Sequence, residues 1–113
     1  MSVISPVINP GSWGAAITKT ISGGITTLSG PGSYKIDTEG LAATDDLDRI
    51  NGLAEGDEVV LRAANDARTV VIKDGTYIKL GADFSLNNQY DSITLLCIGS
   101  NVCISKGGMI SAG

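Results

Sequence analysis

The chain has 113 residues, 42% apolar but only 4% aromatic, with a formal net charge of −4 and no histidine. That length fits one domain. Eight basic residues scattered among twelve acids exclude the clustered cations that nucleic-acid binding or docking on an anionic membrane requires.

Residues 1–16 read as an extended N-terminal arm. Val3-Ile4-Ser5-Pro6 is followed at once by Val7-Ile8-Asn9-Pro10, and each proline pushes the residue before it toward extended geometry. The side chains of Val3, Ile4, Val7 and Ile8 cannot all fold back on one short strip. With Trp13 they are the candidate partner-binding residues; the alternatives are a frayed terminus and, for Trp13, packing under the first pair of strands. The start lacks the basic region and continuous apolar stretch of a signal peptide, and no segment approaches the roughly 20 apolar residues of a membrane span. Synthesis in the cytoplasm is expected, with Cys97 and Cys103 as reduced thiols.

Residues 17–113 read as a single β domain. Fifteen glycines favour turns over helix. Ile17–Ile21 and Ile25–Leu28 flank Gly23-Gly24, a hairpin-type punctuation, and Gly30-Pro31-Gly32 turns the chain into a strand over Ser33–Thr38. Thr44-Asp45-Asp46-Leu47-Asp48-Arg49-Ile50 spaces Leu47 and Ile50 three apart behind acids, which predicts a helical turn or two. Glu58–Ala63 and Thr69–Lys73 are β-rich runs around the polar Asn65-Asp66 turn. Asp74-Gly75 turns again before a short strand at Tyr77–Leu80. Ser92–Ile98 is the strongest strand and Val102–Ser105 the last, joined by Gly99-Ser100-Asn101. If Ile98 faces Val102, Cys97 faces Cys103; the pair could bridge, or be two small buried hydrophobes. Short strands with regular turn signals predict an all-β fold, a compact antiparallel sandwich or barrel or a short β-roll, with at most one short helix. Val59, Leu61 and Ala63 line one face of their strand and Val60 and Arg62 the other, so both faces should be covered, one by a neighbouring subunit. Arg62 and Arg68 flank a turn and should pair with local acids or with a partner's carboxylates.

The residues offer little chemistry. Without histidine there is no Ser-His-Asp or Cys-His catalysis, and the commonest zinc ligand is missing. Neither phosphate-cradling glycine motif is present. Asp45, Asp46 and Asp48 resemble a fragment of a calcium loop, but the glycine at its sixth position and glutamate at its twelfth are absent; helix capping is the plainer reading. Asp57 and Asp91 could be drawn as a glycosidase pair, yet nothing selects them. No catalytic, cofactor-binding or metal-binding residue is assigned, and no cofactor is expected.

The run Gly56-Asp57-Glu58-Val59-Val60-Leu61-Arg62-Ala63-Ala64-Asn65-Asp66-Ala67-Arg68-Thr69-Val70-Val71-Ile72-Lys73-Asp74-Gly75, with Leu80–Asn88 and Asp91–Leu95, resembles a module of bacteriophage virion proteins, both tail-fibre-type and small capsid-associated ones. Ile36–Gly40, Asp45–Asp48 and Ile50–Gly52 fit the same pattern, so the likeness covers about residues 33–99. The chain departs from it at the end, where Val102-Cys103-Ile104 stands in place of aromatic residues. The resemblance implies a structural protein and no enzyme. Its first expectation is a capsid decoration, or cement, protein on the outer shell of the virion, bound across major capsid protein subunits; a homo-oligomer is expected separately, because repeated short β elements covered on both faces often share strands or surfaces. The alternative is a tail-fibre or host-recognition adhesin.

Overall fold

The computed structural model describes residues 15–107 and 109–111. The described chain is all-β, and its strands follow one another around a common core in a solenoid-like winding. The first coil contains β1 (Ile17–Thr20) and β2 (Ile25–Thr27). The second contains β3 (Gly32–Asp37), β4 (Thr44–Leu47) and β5 (Arg49–Asn51), and the third β6 (Glu58–Ala63), β7 (Thr69–Ile72) and β8 (Ile78–Lys79). Then β9 (Phe84–Leu86), β10 (Ser92–Gly99) and β11 (Val102–Ser105) close the body.

Equivalent strands of successive coils lie side by side and parallel: β1 with β3, β3 with β6, β2 with β5, and β4 with β7. The last strands reverse. β9 runs antiparallel to β7, β10 to β6, and β11 to β10, while β8 runs parallel to β11. The result is a six-stranded sheet β1-β3-β6-β10-β11-β8, a three-stranded sheet β4-β7-β9 and the pair β2-β5. The mixed sheets correct the expectation of an antiparallel arrangement. Strand identity follows from alternating apolar residues, but a strand's partner here is usually one coil away in the chain.

Two local expectations change. Ile17–Ile21 and Ile25–Leu28 form no hairpin: only Ser22 and Ile25 bridge across the Gly23-Gly24 turn, and the two strands belong to different sheets. The runs on either side of Asn65-Asp66 are strands, yet β6 and β7 also part into different sheets. The predicted helical turn at Thr44–Ile50 is β4 and β5. Leu47 and Ile50 are both fully buried, and their spacing of three arises because the chain turns a corner at Asp48 between two inward-facing positions. The short helix-like turn Glu39–Leu41 is itself left-handed, with φ of 62° at Gly40 and 61° at Leu41.

The core is a column of inward side chains stacked from coil to coil. Ile17, Tyr34, Leu61 and Ile93 follow one another across the six-stranded sheet, as do Val59 and Leu95. Leu47, Ile72 and Phe84 do so across the three-stranded one. Val59, Leu61, Ile72, Ile93 and Leu95 are fully buried, each worth roughly 1.5–3 kcal/mol of transfer free energy. Coil corners approach closely at two glycines. Gly24 (φ 79°) accepts the Asp48 amide at 2.7 Å, and a Cβ there would meet the Asp48 carboxylate. A Cβ at Gly52 (φ 93°) would overlap the Leu28 carbonyl.

Among the described residues β1 is the first edge of the large sheet. Its inward register positions hold Ile17, 51% exposed, and the half-buried Lys19, which lies beside Ile36. At the other end β10 and β11 are joined by Ser100 and Asn101, both at positive φ (55° and 61°), the backbone of a type I′ hairpin turn. The register slips by one residue between Cys97 and Gly99. Cys97 then faces Cys103 as expected, although Val102 lies opposite Gly99 instead of Ile98.

Candidate protein-interaction surface

The outward face of the six-stranded sheet divides into two parts. Toward β1 the outward positions are polar: Thr18, Lys35 and Arg62 lie in one row, and Ser33 lies beside Val60 in the next. Toward β11 they turn apolar. Leu96 stands beside Ile104, with Glu58 and Lys79 at the two ends of that row. Val60 lies across from Thr94, and Val102 and Ile98 continue the apolar surface past the register slip. Leu96, Ile104, Val60 and Val102 are half-buried, and Ile98 is 46% exposed.

The C-terminal segment runs beside the start of β10. Ile110 and Ser92 exchange backbone hydrogen bonds of 2.8 and 2.9 Å, and the Lys106 amide donates to the Thr94 carbonyl. Of the six exposed large apolar side chains among the described residues, Tyr90, Ile98, Met109 and Ile110 lie along β10 or its flanks. Tyr90, Met109 and Ile110 lie near the start of β10 and Ile98 near its end, so the closing half carries four of the six. Lys106 and Glu58 pair at its margin, 2.6 Å apart, both partly exposed, where an ion pair adds little stability.

Val60 and Arg62, expected on a covered outer face, are each only half-buried by the chain itself. Val3, Ile4, Val7, Ile8 and Trp13 lie outside the described residues. The apolar outer stripe of β10 and β11 was not singled out from the sequence. Its signal was there: Ile93, Leu95 and Cys97 alternate with Leu96 and Ile98, so the strand is apolar at both parities.

The carboxylates serve the backbone. Asp45 accepts the Glu39 and Asp46 amides at 2.8 and 2.9 Å, and Glu39 in turn accepts the Gly23 amide at 3.0 Å. This ties two coils together at a corner, in place of capping a helix. Asp74 accepts the amides of Leu80 and Gly81, which lower its pKa. Asp83 takes the Lys73 ammonium at 2.8 Å, which lowers its pKa and raises that of Lys73. Arg68 forks onto Asp37 with bonds of 2.7 and 3.1 Å, a local pair that holds the Asp37 carboxyl below its ordinary range.

Asp57 and Asp91 do not converge. Asp57 lies beside Cys97 at one end of β10 and caps the Ala54 amide, whereas the buried Asp91 precedes the other end and accepts the Asn87 amide. The strand length between them is about 20 Å at roughly 3.3 Å per residue. No group of three metal-binding side chains gathers among the described residues, no concave pocket opens there, and no helix is long and apolar enough to cross a membrane.

No family model matches the chain, and no curated protein or solved structure matches it either.

Proposed function

We propose that this chain is a structural protein of a bacteriophage particle, a capsid decoration protein that lies on the outer shell across neighbouring major capsid protein subunits. The observation that carries this reading is the outward apolar stripe Val60–Leu96–Ile98–Val102–Ile104 on a sheet whose other outer half is polar. A flat apolar stripe rimmed by Glu58, Lys79 and Lys106 suits a protein face, with the apolar centre supplying affinity and the charged rim orientation. The arm residues Val3, Ile4, Val7, Ile8 and Trp13 extend the grip to a second subunit. A stable contact of this kind buries roughly 1,600 Å² in total.

The mechanism is linkage: a protein that binds the assembled shell but not its separated subunits stabilises the shell by mass action. The class of partner in this reading rests on the resemblance of residues 33–99 to phage virion modules. A second reading, a host-recognition adhesin, draws on Tyr90, an aromatic side chain 68% exposed beside β10.

Cosedimentation with shells lacking the protein tests both readings. Leu96→Ser with Ile104→Ser should weaken shell binding by about tenfold or more while the fold holds, because both side chains face outward. Deleting residues 2–10 should weaken it further and lower the temperature at which shells release their contents. Variants that coat shells like the unaltered protein would overturn the proposal, and adsorption of the purified protein to host cells would decide for the adhesin.

A further inference from the structure

Hydrogen-bond direction defines the geometry around the two cysteines. Cys97 on β10 stands opposite Cys103 on β11. The Cys97 amide donates to the Asp57 carbonyl at 2.8 Å, and the Cys97 carbonyl accepts the Gly56 amide at 2.8 Å, so both groups point to the β6 side. The Cys103 amide donates to the Tyr77 carbonyl at 2.9 Å, toward β8. Neither amide is directed at the facing residue. The two are therefore a non-hydrogen-bonded antiparallel pair, in which Cα atoms sit about 4.5 Å apart and side chains lean together. A disulfide spans Cα separations of about 4.4–6.8 Å. Both side chains point into the core, 1% and 0% exposed, and both thiols are free.

We propose that Cys97 and Cys103 are a dithiol that closes into a disulfide within one chain when the protein meets a small-molecule disulfide such as oxidised glutathione. One protein thiolate attacks a sulfur of the oxidant, forming a mixed disulfide and expelling one glutathione thiolate. The second protein thiolate attacks the protein-bound sulfur, forms the Cys97–Cys103 bond and expels the other glutathione. Two protons leave the protein for the two glutathione thiols. The protein is oxidised by two electrons, and the oxidant is reduced by the same two.

Access to the pair comes from β11. This strand has four residues and is held on its outer side by a two-residue ladder to β8. Burial, reinforced by the neighbouring Cys97, pushes the Cys103 thiol up to about 12, so the closed body holds little of the attacking thiolate. Oxidation then proceeds through the opened strand, and once formed the bridge holds β11 on β10 with Leu96, Ile98, Val102 and Ile104 in register. This inference is independent of what that face binds.

The test is a thiol count on the full chain after incubation across a series of oxidised-to-reduced glutathione ratios, with alkylation under denaturing conditions and mass measurement. The expected product is a monomer lighter by two hydrogens, without alkylated cysteine and fully restored by a reducing agent. Urea below the unfolding transition should speed its formation several-fold. Cys97→Ser and Cys103→Ser should each leave one thiol that collects a glutathione adduct, a readout that does not depend on either variant folding. Two alkylated thiols at every ratio, two glutathione adducts on one chain, or bridges only between chains would overturn the proposal.

Discussion

From β1 to β7 the chain winds, each strand lying parallel to its counterpart one coil earlier; from β9 to β11 it turns back on itself and runs antiparallel. Both regions use the same alternation of inward apolar and outward residues, and they fix their register differently. In the wound region register depends on how much chain lies between coils and on corners such as Gly52 against the Leu28 carbonyl, where a Cβ would overlap backbone. In the closing region a turn of two residues starts the pairing, and a one-residue slip between Cys97 and Gly99 sets the register beyond it. Their outer faces differ too, polar over β1 and β3 and apolar over β10 and β11. The region with local pairing is thus also the one whose outer face is apolar.

The largest effect should come from the residue that both regions share. Leu95 is fully buried, with Val59 of the wound region on one side and Ser105 of β11 on the other. Leu95→Ala should cost about 3 kcal/mol, read as a lower urea midpoint with an unchanged slope. If amide exchange in that variant rose only in β10 and β11, the two regions would be separate units and the comparison would need redrawing.

Acid should act on the wound region. Asp37 is held below its ordinary pKa of 3.8 chiefly by the side-chain hydrogen bond from Arg68, helped by the Thr38 amide and opposed by desolvation. A carboxylate whose pKa is lowered by folding contributes stability that is complete above its unfolded value and is lost as pH falls through the folded one. Melting temperatures measured from about pH 6 to about pH 2 should therefore drop once the pH passes below the ordinary carboxylate range. Asp37→Asn should be less stable at the upper end and show a shallower drop.

The smallest effect belongs to the closing turn. Ser100→Asn with Asn101→Gly supplies the residues that tolerate positive φ at both central positions, and should raise stability by about 0.5–1 kcal/mol. Slower amide exchange confined to β10 and β11 would check it.

Much of the fold was legible in the sequence, and the division follows the same line. β6, β10 and β11 match their predicted runs closely because period-two alternation and flanking turn residues are local signals. Cys97 and Cys103 face each other as expected but by another route: Val102 lies opposite Gly99, and the slip beyond it restores the pair. The parallel winding was not legible, because the coils differ in length: Tyr34 returns beside Ile17, but the next coil does not return until Leu61. No repeat appears without equal coils. Leu47 and Ile50 mimicked a helix for a related reason, since a corner between two inward positions shifts the alternation by one residue. Of the candidate surface, Val60 was seen and the Leu96–Ile104 row was not, because the strong core parity of β10 concealed its second apolar face.

Lys19 carries one more consequence. It occupies an interior line of side chains at the rim of the large sheet, beside Ile36. Another strand docking on that rim would have to strip water from the ammonium and seat an apolar side chain over it. A single cation thus makes the described rim a costly seat for a further strand.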